Sequence, residues 1–531
     1  MKKISIILAA FALAVTMTQC KKNEGQTTSN DEVVTITLDV SQNNDSKVVV
    51  NPNTGTVDFE TGDKIYVGSG GKYVGFLTHN GTNFSGNITN PAENQPLQFY
   101  FLGNVTPQET LAAGTTEECS VIISDQTEHL PVISRAASNE NYVSGVTAYS
   151  AYLLNKCALV KFNVTTSSTY PTCIMGMNNK VAVDFANNSL DFEQNGDGVI
   201  MLGAGSGEKW AILLPQEAMN EGVIGTAFSY DGIYSGKCPE MPAVVENNYW
   251  ADGFSIILHP TGAVEGLFSV SPTQQVYFSQ GLLQYQPISH TWRFADSQLS
   301  CSGNDGNTGG YDPSSYQWID FFGWGTSGFE HGAVCYEPWS ISTTYSDYYA
   351  YGDAAYNLFD QTGQADWGYN AISNGGNRQG QWRTLSKTEW EYLLETRSTN
   401  SGIRFANVTI NDYIGLILLP DNWNSATYVL SNPNTFDASF SSNVIDYWDW
   451  VNTLEPSGAV LLIAAGNRYS DYFGDVKIKG VYWTSTCSDS ENAYVLYFYN
   501  EIGAYGLENG IIDVEGERCC GYSVRLVHNA E

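Results

Sequence analysis

Residues 480–527 read GVYWTSTCSDSENAYVLYFYNEIGAYGLENGIIDVEGERCCGYSVRLV. Three apolar pieces frame the stretch: Val481-Tyr482-Trp483, Tyr494 to Phe498, and Tyr522 to Val527. β-Branched and aromatic residues in short runs read as strands. Between them Ser, Asp, Asn, Glu, Gly, Tyr and Cys follow no period. A stiff frame carrying polar, aromatic-dotted loops is the chemistry of a recognition surface. Trp483, Tyr494 and Leu496 are expected in the core. The expected ligand contacts are the loop residues Cys487, Ser488, Asp489, Glu491, Tyr499, Asn500, Tyr505, Glu508, Asn509, Arg518, Cys519 and Cys520. Tyr beside Ser, Asn and Asp combines rigid amphipathic area with adaptable hydrogen bonding. A solvated loop with no partner is the competing reading.

Working outward, the composition changes near Thr261-Gly262, and eleven of the thirteen tryptophans follow Gly266. This marks a C-terminal domain, 266–531. Its clearest helix opens at Ser386-Lys387-Thr388-Glu389, a capping box with Ser386 as N-cap and Glu389 three residues on. Leu385 and Trp390 stand where a hydrophobic staple forms, and the helix is expected to end near Arg397. A shorter helix is expected around 445–454, with Ile445, Trp448 and Val451 at helical spacing. The texts "FSVSPTQQVYFSQGLLQY" from Phe268, "TWRFADSQ" from Thr291, "DQTGQADWGYNAISNGGNRQGQWRTLSKTEWEYLLETR" from Asp360, "GLILLPDNW" from Gly415, "LEPSGAVLLIAAGNR" from Leu454, "YWTST" from Tyr482 and "GYSVRLV" from Gly521 occur in this order. Together they resemble the Fibrobacter-type major paralogous domain. That resemblance implies a C-type-lectin-like α+β fold, with two helices, a small mixed sheet and a long-loop region for ligands. Lectin-like domains ending in this way also resemble targets of diversity-generating retroelements, whose last few dozen residues are rewritten at scattered surface sites.

Before Gly262 the text is short strands and turns. Val33 to Leu38 alternates polar and apolar, and Asn80-Gly81 between Gly75-Phe76-Leu77 and Phe84-Ser85-Gly86 signals a hairpin. Two β-sandwich domains are expected, at 33–152 and 153–262. "TGDKIYV" at Thr61, "NKCALVKFNV" at Asn155 and "WAILLPQ" at Trp210 resemble the two-sandwich fimbrillin-like lipoproteins, in which such domains are structural or assembly modules of fimbriae. The expected fold class is therefore mainly β with an α+β end.

Acids outnumber bases 56 to 24, for a net charge of −32. That argues against a nucleic-acid partner. Lys2-Lys3 and the apolar run Ile4 to Val15 read as a secretory signal, too short to span a bilayer. It ends at Met17-Thr18-Gln19-Cys20, which resembles a bacterial lipoprotein signal with Cys20 acylated, followed by a polar tether over 21–32. Ordinary cleavage, with Cys20 incidental, is the alternative. The expected location is the cell envelope, as a surface-exposed outer-membrane lipoprotein.

No motif for catalysis, metal or cofactor emerges. Neither the nine cysteines beyond Cys20 nor the six histidines fall at zinc spacing. Glu455-Pro456-Ser457 is similar to a calcium-and-sugar motif, yet Trp483 is followed by Thr484-Ser485 instead of Asn-Asp. Asp191 to Gly198 lacks the register of a calcium loop, and Gly68 to Lys72 lacks the residues of a phosphate loop. Cys519-Cys520 invites comparison with formylglycine-generating oxidases, which use copper and two cysteines. Neighbouring residues of a regular strand point to opposite faces, so the pair is expected not to converge on one metal. The expected function is binding without catalysis: a lipid-anchored adhesin presenting its C-terminal domain to a protein or glycan on a host, phage or neighbouring cell. A structural or tip subunit of fimbriae is the first alternative, with fimbrial subunits as its partners. An envelope enzyme of the formylglycine-generating type is the second.

Overall fold

A computed structural model describes residues 31–42, 59–114, 119–219, 226–301, 311–349, 356–360, 362–499 and 514–530. Cys20, its signal and most of the tether lie outside the described residues, as do Asn500, Tyr505, Glu508 and Asn509. The fold is mostly β. No helix among the described residues is long and apolar enough to cross a membrane.

The first strands close into a barrel in the order Val33–Gln42, Phe84–Thr89, Lys72–His79, Lys64–Ser69, Leu97–Leu102, Ile133–Ala136 and Ala148–Asn155. Closure comes from a parallel pairing that runs from Thr37 opposite Ala148 to Gln42 opposite Leu153. Joining first strand to last leaves no open edge for another chain to pair with. Asn80-Gly81 does form the hairpin: the Asn80 side chain accepts from the Thr82 and Asn83 amides, and Gly81 takes a φ of 100°. Gly68 to Lys72 is likewise a turn between two strands.

The expected division at 152/153 falls inside the strand Ala148–Asn155. Strand Cys119–Ile122 pairs with Lys180–Asp184 across it. One buried core runs from Ile36 to Leu214 and includes Cys157, Val181, Phe185 and Ile212. The two N-terminal units therefore share apolar packing. A second core, built on Phe162, Ile174, Leu202, Leu213 and Ile256, belongs to the later strands alone.

The C-terminal region begins at the strand Ala263–Ser269. Gly262 turns the chain into it with a φ of 81°, at a point where a Cβ would come within 2.4 Å of the Asn374 carbonyl oxygen. A sheet ordered Ala263–Ser269, Gln275–Ser279, Leu526–Asn529, Arg383–Thr384 pairs the start of the region with its end. A second sheet joins Phe405–Ile410, Tyr413–Leu418 and Val460–Ile463, with Val444–Ile445 at its edge. The capping box forms in full at Ser386 and Glu389. Leu385 and Trp390 are both buried in one cluster, as a staple requires. That helix, Lys387–Glu391, runs on as a wider turn to Thr396.

The second helix differs from expectation. Asp446 caps it, so Ile445 stays in the strand and Trp448 points out, 68% exposed. Trp450 and Leu454, four residues apart, form the buried face instead.

Arg397 is wholly buried where the first helix ends. Its Nε donates to the Leu393 carbonyl at 2.7 Å, Nη2 to the Leu419 and Arg404 carbonyls, and Nη1 to Asp421 Oδ1 at 2.6 Å. Asp421 Oδ2 accepts from the Ser269 amide and hydroxyl and from Gln275. Removing one partner of such a pair leaves an uncompensated buried charge. Asp421→Asn is expected to lower stability by about 3 kcal/mol, and Ser386→Ala by about 1 kcal/mol, both measured by denaturant unfolding of the full chain.

Candidate functional site

The frame of the closing segment is a three-stranded antiparallel sheet, Lys479–Cys487, Asn492–Tyr499 and Val514–Glu517. Trp483 and Leu496 are buried as expected. The Trp483 indole donates to the Phe322 carbonyl at 2.7 Å, and its ring packs on Trp324 and Tyr522. Tyr494, expected in the core, is half-buried, with the Lys387 ammonium 4.8 Å from its ring centroid.

The turn joining the first two strands carries Ser488, Asp489 and Glu491. Asp489 builds the turn. Its Oδ1 accepts from the Glu491 amide at 2.7 Å and the Asn492 amide at 2.8 Å, which holds its carboxyl below the usual range. Asn492 and Arg518 reinforce that effect. Ser488 donates to Glu515 on the third strand. Glu491 is exposed, and its carboxylate acting on the nearby Tyr345 hydroxyl raises that phenol above its ordinary value. Tyr345 stands on a short helical turn, Tyr345–Asp347, and is 37% exposed. An acidic rim results: Glu491, Glu515 and the exposed Glu517, with Tyr345 beside it. Tyr499, at the end of the second strand, is half-buried.

Four expected contacts are corrected as to exposure, because Cys487, Arg518, Cys519 and Cys520 are all buried. Cys487 packs in the Trp483 core and donates its amide to Asn357. Arg518 lies under the turn. Its Nη2 donates to the Asp489 carbonyl, its Nε to the Asn492 carbonyl at 3.3 Å, and its own amide to the Glu491 carbonyl. Five-donor geometry suits Arg to gathering loop carbonyls. It therefore positions the rim from below.

Cys519 and Cys520 do not occupy a regular strand. The Cys520 amide donates to the Glu517 carbonyl at 2.9 Å, closing a tight turn. Inside it the two sulfurs and a Glu517 carboxylate oxygen all lie within 4.8 Å of one another. The premise that the pair points to opposite faces fails because a turn, unlike a pleated strand, imposes no alternation. Cys335 and the ring of Tyr348 pack against Cys519. Interaction with the neighbouring Cys519 thiol, then with Tyr522 and the charge of Arg468, pulls the Cys520 thiol pKa down against burial and Glu517. Cys519 is pushed up by the same interaction and by burial.

Glu455 of the Glu-Pro-Ser triplet turns inward. It accepts from Gln298 Nε2 at 3.0 Å, and Gln298 Oε1 accepts from Arg525 Nη2 and the Leu461 amide. Burial raises its pKa. Gln298 and Arg525 are fully or almost fully buried, so this carboxylate serves the fold. Tyr345, Glu515 and Glu517 are rim residues that sequence reasoning missed. Tyr345 lies 146 positions before Glu491, and no local pattern joins them.

No family model matches the chain, and no curated protein sequence matches it. Among solved structures it is similar to a candidate cell adhesion protein from Bacteroides uniformis, at 14% identity and a TM-score of 0.28, over 44% of this chain and 98% of that one. It is similar to candidate polysaccharide-binding proteins from Bacteroides thetaiotaomicron, at 15% identity and a TM-score of 0.24, over 37% and 76%. A fimbrial assembly protein from Parabacteroides distasonis gives 11% identity and a TM-score of 0.23, over 47% and 97%. Likenesses at this level carry no inference about what the chain binds.

Arg518→Ala removes the side-chain donor to the Asp489 carbonyl, while the Asn492 carbonyl keeps the Ser488 and Asp489 amides. Stability is expected to fall by about 2 kcal/mol. Amide hydrogen exchange should quicken at 488–492, and unchanged exchange there would refute the positioning role.

Proposed function

We propose that this chain is an envelope adhesin. In this reading Cys20 carries the lipid anchor at the outer membrane, the N-terminal β units form a stalk, and the C-terminal domain presents a recognition face to a protein or glycan. The lectin-like identity of that domain, and rewriting of its last segment, belong to the same proposal.

One observation supports it above the others. The turn at 488–491 is held from below by buried Arg518 and from within by Asp489, while Glu491, Glu515 and Tyr345 line its outer side. A rim held before the partner arrives loses little entropy on binding. Carboxylates accept from sugar hydroxyls or from basic side chains, and a half-exposed tyrosine supplies apolar area at low entropic cost. The contacts in this proposal are Tyr345, Ser488, Glu491, Tyr499 and Glu515, together with Asn500, Tyr505, Glu508 and Asn509.

The test is binding of the full mature chain to arrayed glycans and cell-surface proteins. Tyr345→Ala combined with Glu491→Lys is expected to weaken the strongest interaction at least tenfold with unchanged thermal unfolding. Binding that survives both substitutions, or that survives deletion of 266–531, would sink this reading.

A further inference from the structure

The turn at Glu517–Cys520 is a built chelate. Cys519 Sγ and Cys520 Sγ stand 3.8 and 4.0 Å from the same Glu517 Oε2. Bonds of about 2.3 Å from zinc to sulfur and about 2.0 Å to oxygen set the sulfur-to-oxygen edge of a tetrahedron at about 3.5 Å. Closing the observed edges takes a few tenths of an ångström. The carboxylate comes from an exposed residue and the sulfurs from buried ones.

A second observation concerns charge. Arg468 is fully buried; its Nη1 donates to the Ser470 carbonyl at 2.7 Å, its charge acts on the Tyr311 and Tyr348 phenols, and its Nε and Nη2 find no hydrogen-bond acceptor among the described residues. It lies against Gly521, the residue after Cys520, where a Cβ would come within 2.5 Å of Arg468 Nε. The Arg468 amide and carbonyl also pair with Gly521, which fixes the guanidinium beside the turn. A buried guanidinium with unmet donors calls for an anion nearby. Two thiolates and one carboxylate around a divalent cation carry one net negative charge, the same as the Glu517 carboxylate beside two protonated thiols, so metal uptake takes no counter-charge away from Arg468. Cys335 and Tyr348 share a buried cluster with Cys519.

We propose that Glu517, Cys519 and Cys520 bind a thiophilic divalent cation of the zinc type, with one position open. Binding releases the two thiol protons to solvent, forms two metal–sulfur bonds and one metal–oxygen bond, and changes no oxidation state. It pins the turn that links the third strand of the rim sheet to the closing strand of the domain.

The experiment is titration of the reduced, full mature chain with Cd²⁺ and Zn²⁺. It is followed by the ultraviolet cadmium–thiolate absorption and by thermal unfolding. One equivalent of Cd²⁺ should produce the band, and Zn²⁺ should displace it. Cys519→Ser and Cys520→Ser should each abolish it, while Cys238→Ser, in the distant N-terminal half, should leave it intact. Glu517→Gln, at an exposed position where the fold has little at stake, should weaken binding at least tenfold. Absence of the band, its survival in the two serine variants, undiminished affinity in Glu517→Gln, or oxidation of the thiol pair with no metal uptake would each overturn the proposal. None of these readouts depends on adhesion, so the two readings stand or fall separately.

Discussion

The C-terminal domain depends on one buried ion pair. Arg397 gives four donors to Leu393, Leu419, Arg404 and Asp421, and Asp421 passes its second oxygen to Ser269 and Gln275. The end of the first helix, the first two strands of the domain and the chain after Tyr413–Leu418 thereby meet at one point. A buried guanidinium tolerates no slack, because any unmet donor costs desolvation energy without return. Elements that share such a partner must keep their register together. Burial depresses the Arg397 pKa, and the Asp421 carboxylate opposes that only in part.

The same device recurs nearer the site. Arg525 reaches Gln298 beneath strand Val460–Ile463, and Arg518 gathers the carbonyls of the rim turn. Arginine suits this work because its planar fork keeps charge and geometry while its stem packs. A rim supported in this way is set by the fold beneath it, and solvent has little say in its shape. That is why the turn's most evident acid, Asp489, serves structure while Glu491 and Glu515 face outward. Two nitrogens of Arg468 and two of Arg525 find no acceptor among the described residues.

Local chemistry was legible where it is decided locally. The capping box at Ser386 and Glu389, the staple of Leu385 on Trp390 and the Asn80-Gly81 hairpin each rest on a few adjacent residues. Trp483 and Leu496 in the core were also legible, because aromatic and apolar strand text seldom stays in water. Less legible was the face of the second helix. The spacing of Ile445, Trp448 and Val451 fits a helical stripe, but the Asp446 cap starts the helix one residue later and rotates the stripe to Trp450 and Leu454.

The sequence by itself determined a mostly β chain with a tryptophan-rich C-terminal half, its principal caps and turns, and an acidic net charge, all matters of composition and neighbour chemistry. Only the tertiary structure decided what the long-range partners are. It closed the barrel by pairing Val33–Gln42 with Ala148–Asn155, and it carried Tyr345 to Glu491. It buried four arginines that composition alone would leave in water, and it bent Cys519 and Cys520 toward Glu517. Each of these depends on groups meeting across the fold. Their energies come from shared desolvation and hydrogen bonding, which no window of neighbouring residues contains.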